Sequence, residues 1–418
     1  MTQALLREII DYANRADPYP LYEELRKTPV SHDGDGPYVV STYYEIRSLL
    51  HDPRISSDAR NLKATGDDPL GQSADEEGAD LPPSFLRLDP PDHDRLRRIT
   101  NRPFGPPHAP RRVHDMRDEL HGLVDGLIDG IGTSGTLDRV DLVDQFAYPF
   151  PVSVICRLLG VPREDEPRFH VWADTLAASL DPDPDGDPGQ RAKSMTDARM
   201  ELGMYLAGLI EERRKNPGDD MLSQLATSDG PDGAMTTMEA LSTSALLLIA
   251  GHETTVNLIT NGMLTLLRHP DVLQRLREDP ALSVPIVEEL LRYEPPVQLV
   301  PQRSTLCDIE VAGVSIPKGA SLWLVLASGN RDPKRFENPD RFDPDRKDNQ
   351  HLGLGSGIHS CFGAPLARQE AQLALSALAR RLDNPRLLED PPPYRQNAVL
   401  RGPRHLPIAC DGILPKAA

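Results

Sequence analysis

Apolar positions recur mostly at helical spacing along this chain. The spacing predicts amphipathic helices over 115–130 and 195–214 and a long one over 236–268, where Thr236 and Glu239 form a capping-box pattern at the start. Further on, Ala367, Ala371, Ala374, Leu378 and Leu382 fall at intervals of three and four, one face of a helix whose first turn holds Pro365. Alternation, the strand pattern, is confined to short pieces. "PYVVSTY" (37–43) is one; "DIEVAGVSIPKGASLWLVLASGN" (308–330) turns at Gly313 and Gly319 like a hairpin followed by a strand. Segment 58–80 is acidic and has no apolar period, as a mobile surface loop would. Proline clusters such as "DPDPDGDPG" (181–189) separate no two self-sufficient patterns, so one mainly α domain over 1–418, with a smaller β region, is expected.

Composition narrows the function classes. Acids outnumber bases 64 to 46, a net charge of −18, which argues against nucleic acid as a partner. The four cysteines, Cys156, Cys307, Cys361 and Cys410, are scattered with no CxxC, so neither a disulfide framework nor a zinc ribbon is expected and a reducing cytoplasm fits. Charges run through the apolar residues of the first twenty positions, unlike a signal peptide, and no apolar run approaches the roughly 20 residues of a membrane span.

Four stretches carry candidate chemistry. In "HLGLGSGIHSCFGAPLAR" (351–368), Cys361 stands at the mouth of a helix, where the dipole favours a thiolate, and Gly353, Gly355, Gly357 and Gly363 strip side chains from around it. A flat, large group could lie against such a backbone. In "EELLRYEPP" (288–296), Glu289 and Arg292 are neighbours on a helix face, and Arg341 in "FENPDRF" (336–342) could return to the same carboxylate. In "LLLIAGHETTVNLI" (246–259), Leu247, Ala250, Gly251, Thr254 and Leu258 share a face, and a glycine inside a helix costs about 1 kcal/mol relative to alanine. His252–Glu253 is not a zinc motif, because position 256 is Val. In "DPPDHDRLRRI" (89–99), His93 and Arg97 are four apart and could grip one anion; the run from Arg95 to Arg112 has no acid.

Taken in order, these stretches resemble the cytochrome P-450 superfamily, specifically its soluble bacterial members. The cysteine loop is similar to that family's FxxGxxxCxG signature, with Leu354 where Phe is usual; Glu289 and Arg292 resemble its ExxR, and "AGHETT" (250–255) its oxygen-activation motif. The resemblance implies a mainly α fold with a helical bundle around haem b and a smaller β region. It implies Cys361 as axial iron ligand in a haem-thiolate loop (351–368), and His93, Arg97, Arg303 and His359 as propionate partners, with Gly355, Gly363, Ala250 and Gly251 against the cofactor. Glu289, Arg292 and Arg341 would form a structural triad. Gly251 would leave room for dioxygen, while Thr254, with Glu253 behind it, would support proton delivery.

The implied activity is insertion of one oxygen atom from O2 into a lipophilic terpenoid, steroid or polyketide-like molecule, by a monomer fed from NAD(P)H through a ferredoxin. Peroxide-driven oxidation, oxidative coupling or ring closure, and a non-catalytic haem sensor remain as alternatives. By resemblance the substrate pocket draws on Leu81, Leu88, Leu247, Ala250, Val297, Leu299, Val300 and Val399, under a mobile access loop over 58–88. Arg95, Arg98, Arg102, Arg111 and Arg112 are the candidate docking face for an acidic redox partner.

Overall fold

The computed structural model describes residues 2–62, 83–105, 109, 111–133, 136–180 and 188–416. Leu81 and most of the expected access loop lie outside these residues.

Helices dominate, as the periodicity implies. The helix Thr237–Arg268 runs through the core, about 48 Å long at 1.5 Å per residue. Its first turn is closed by the Thr236–Glu239 capping box, with both reciprocal bonds made. Beyond Thr255 nearly every side chain on it is buried, so its polar residues must bond locally: Thr260 donates to the Val256 carbonyl (2.9 Å) and Thr265 to that of Asn261 (2.7 Å). Around this central helix pack Pro149–Leu159, Ser283–Tyr293 and Ala364–Arg381, all in one hydrophobic cluster. Among the described residues no helix is long and apolar enough to cross a membrane.

The β region is small. The 308–330 pattern forms the expected hairpin, Ile309–Val311 with Val314–Ile316, turning on Ala312 (φ 49°) and Gly313 (φ 80°), both left-handed as a two-residue turn requires. The strand that follows, Ser321–Leu324, leaves the hairpin. It pairs parallel with Tyr38–Val40 and antiparallel with Val300–Thr305, at the centre of a five-stranded sheet. Val300 and Arg303 on its strand Val300–Thr305, with Val297 and Leu299 just before it, line the same cavity as the cysteine loop.

The arginine run meets acids that its own segment lacks. Arg95 pairs with Glu239, Arg98 (2.9 Å) and Arg102 (2.6 Å) share Asp232, Arg112 reaches Asp219 (3.3 Å) and Arg111 reaches Asp115 (3.3 Å). Tertiary packing thus brings carboxylates from other segments onto Arg95, Arg98, Arg102 and Arg112, while Asp115 lies one turn from Arg111.

Candidate active site

The cysteine loop is built by backbone crowding. Gly355 (φ 67°) and Gly357 (φ 69°) take left-handed conformations that other residues rarely adopt. A Cβ on Gly353 would stand 2.1 Å from the Leu291 carbonyl oxygen, and one on Gly357 would stand 1.9 Å from that of Leu50. These glycines therefore serve contacts with the protein's own backbone. Gly363 alone of the four meets neither constraint: its Cβ would enter open space beside Cys361. The loop closes with the Cys361 N–H donating to the Leu354 carbonyl at 2.8 Å, and the helix Ala364–Arg381 starts just beyond.

Cys361 lies on the wall of a cavity of about 450 Å³, shared by the central helix, the cysteine loop and the strand Val300–Thr305. Burial pushes its thiol up; the Gly363 N–H and the positive Arg97 and Arg368 pull it down. A thiolate here needs a further positive partner, such as a metal ion. Across the cavity, Ala250, Gly251 and Thr254 present one face of the central helix. The remaining wall is mostly apolar, including Phe85, Ile155, Leu247, Val297, Leu299 and Val399.

One edge of the cavity is cationic. Arg97 donates to the Ser360 carbonyl at 2.6 Å, and burial lowers Arg303 to about 10. His93 and His359 stack edge to face at 4.5 Å, and His359 shares a 2.8 Å hydrogen bond with Ser57. Burial first, then Arg303, His93 and Arg97, bring His359 down to about 3. Two ring nitrogens, His93 Nε2 and His359 Nδ1, are buried and meet no partner among the described residues. Crowded cations and orphaned ring nitrogens beside a large apolar cavity fit an amphiphilic ligand carrying carboxylates. Haem b, with its two propionates, meets that description.

Several expected placements change. The Arg341 side chain does not complete the ExxR pair; it is exposed, because its neighbour Phe342 turns inward against His269 and Tyr293. Arg346 takes the place, 3.3 Å from Glu289, and Arg341 contributes only its carbonyl, to Arg292 at 3.0 Å. A Cβ on Gly251 would come within 2.7 Å of Ile155 Cδ1, the flexible end of a side chain that can move aside, so this contact alone does not demand a glycine. Thr254 donates back to the Ala250 carbonyl at 2.7 Å. Glu253, one residue round the helix, does not line the cavity; it is buried against Arg395 at 2.7 Å and accepts from Asn257 at 3.2 Å. Leu88 packs into the hydrophobic core and does not reach the cavity wall. Sequence reasoning missed Glu370, a buried carboxyl on the wall whose desolvation raises it well above its ordinary range. Its signal was available: a lone acid among the apolar positions of its helix.

The cytochrome P450 family profile matches residues 61–281 and 282–406. The chain is 41% identical over 403 residues to cytochrome P450 monooxygenase PikC of Streptomyces venezuelae, covering 94% of this chain and 91% of that protein. It is 39% identical over 401 residues to the vitamin D(3) 25-hydroxylase of Pseudonocardia autotrophica, covering 94% and 93%. Its fold is similar to the ligand-free structure of CYP164A2 from Mycobacterium smegmatis, with TM-score 0.84, 42% identity and coverage of 97% and 100%. With the family profile spanning most of its length and a fold similar to that of CYP164A2, this chain belongs to the cytochrome P450 family and is a haem-dependent monooxygenase.

Proposed function

We propose that this enzyme inserts one oxygen atom of O2 into a lipophilic small molecule, with Cys361 as the iron ligand and electrons delivered from NAD(P)H through a ferredoxin. The observation that carries this reading is Cys361 and the Thr254 face of the central helix lining one largely apolar cavity. Haem b supplies the oxygen-activating iron, and a thiolate ligand favours O–O cleavage. Arg97, Arg303, His93 and His359 hold the propionates, which satisfy the orphaned ring nitrogens and offset the crowded positive charge. The apolar wall excludes water and selects a terpenoid, steroid or polyketide-like substrate over a charged one. The hydroxylase named for vitamin D(3) is a relative consistent with that class.

Thr254 holds a proton at Oγ1 on the cavity side. Glu253, its side chain turned to Arg395, would have to leave that ion pair to replenish the proton. Thr254→Ala should keep the haem spectrum and substrate binding yet release more hydrogen peroxide per NADPH consumed. Peroxide release and product yield matching wild type would remove Thr254 from the reaction.

For the ferredoxin, Arg98 and Arg111 are the most exposed of the arginine run, at 58% and 76%. Exposed charges mainly set encounter rate and its salt dependence. Arg98→Glu with Arg111→Glu should slow reduction by a ferredoxin at low ionic strength and flatten its salt dependence, with substrate affinity unchanged. Stopped-flow rates equal to wild type at low and high salt would place the docking face elsewhere.

A further inference from the structure

Three side chains behind the cysteine loop are joined through one carboxylate. Glu288 precedes Glu289 on the helix Ser283–Tyr293 but points elsewhere. Its Oε1 accepts from Arg368 Nε at 2.6 Å, and its Oε2 accepts from Arg368 Nη2 at 3.0 Å and meets His351 Nε2 at 3.2 Å. His351 Nδ1 accepts the Gly353 N–H at 3.1 Å, so Nε2 carries the proton donated to Glu288. His351 opens the cysteine loop and is only 4% exposed. Arg368 closes the 351–368 stretch on the helix Ala364–Arg381, seven residues after Cys361, and a positive charge so placed favours the ionised thiol. Burial opposes ionisation of Glu288, yet His351 and Arg368 hold it at about 2, so it is a carboxylate at any working pH.

We propose that Glu288 is a positioning residue that clamps both ends of the cysteine loop, fixing its start through His351 and holding the Arg368 guanidinium where it tunes the iron–thiolate bond. This rests on Cys361 being the iron ligand. The arrangement is separate from the buried Glu289–Arg292–Arg346 group: it reaches different residues and is only partly buried. Its geometry is that of an outer shell around a metal ligand, where removal of one member commonly costs about 10–100-fold in metal affinity or activity. Bidentate pairing also favours arginine at 368, because a lysine cannot engage both carboxylate oxygens in one plane.

Two measurements on the haem-loaded enzyme test the clamp: the ferric–ferrous midpoint potential, and the rate at which the reduced carbon monoxide complex loses its thiolate-type Soret band. A ferrous thiolate site carries one more negative charge than a ferric one, so a held cation favours reduction. Arg368→Gln should therefore move the midpoint to more negative values. Arg368→Lys should keep part of that shift from appearing. Glu288→Gln and His351→Ala should each speed loss of the band by about tenfold. In a Glu288→Gln background the midpoint shift caused by Arg368→Gln should shrink, because the guanidinium is no longer held. A purely structural pair predicts lower melting temperatures with midpoint and band-loss rate as in wild type, and that result overturns the clamp. Equal midpoint shifts in both backgrounds overturn the claim that Glu288 holds Arg368. A wild-type enzyme without the thiolate band would instead overturn Cys361 as ligand, and the clamp with it.

Discussion

Replacing Cys361 with serine should abolish the red-shifted Soret band of the reduced carbon monoxide complex, and with it the monooxygenase activity. Cys361 is the cysteine that faces the cavity; the thiol there is already approached by the Gly363 N–H, Arg97 and Arg368, all of which favour its ionised form. A serine hydroxyl is far less acidic and less polarizable, so it gives the iron no comparable electron density. The contrasting variant changes the other three cysteines together. Cys156 and Cys410 are buried and Cys307 is exposed, all away from the cavity. Alanine suits Cys156 and Cys410, since a hydroxyl buried there without a partner costs about 1–3 kcal/mol. That triple variant should retain the band. If it loses the band while Cys361→Ser keeps it, another thiol is the ligand.

The second large effect is expected at Glu289. Its carboxylate and Arg292 are both fully buried, joined by bonds of 2.8 and 2.7 Å, with Arg346, the Asp343 N–H and Asn349 on the same two oxygens. Arg292 in turn donates to the carbonyls of Asn330, Pro339 and Arg341. The pair thus ties the helix below the cysteine loop to the segment that leads into it. Glu289→Ala leaves a buried guanidinium without its counter-charge, which costs about 3–5 kcal/mol. The variant should unfold at clearly lower temperature, followed by far-UV circular dichroism, and should lose haem on gel filtration. Arg341→Ala should do neither, because Arg341 offers its backbone only. Wild-type melting and haem retention in Glu289→Ala would contradict a structural role for the pair.

The chemistry of the site was legible where it depends on residues close in sequence. A cysteine at the start of a helix, Thr254 on an apolar helical face, and Glu289 beside Arg292 each follow from spacing within one or two turns. The family resemblance added the haem and the order of the motifs. What spacing cannot reach is the partner supplied by a distant segment. Arg346 in place of Arg341 is decided by Phe342 turning into the core, since burying an aromatic ring outweighs where one arginine points. Glu253 looked paired with its neighbour Thr254, but successive helix residues diverge by 100°, and Arg395 lies on Glu253's side.

The glycines divide along the same line. From sequence alone they permitted a flat ligand; in the fold, Gly353 and Gly357 are demanded by the backbone carbonyls of Leu291 and Leu50, whereas Gly251 faces only the movable end of Ile155. The arginine run was a local charge inversion until Glu239, Asp232 and Asp219 packed against it. The sequence by itself determined the helical class, the cysteine that lines the cavity and the helix that faces it, because periodicity and propensity act over a few residues. Only the tertiary structure decided which carboxylate each arginine meets and which backbone each glycine admits, because those contacts join segments brought together by core burial, and burial is blind to sequence distance.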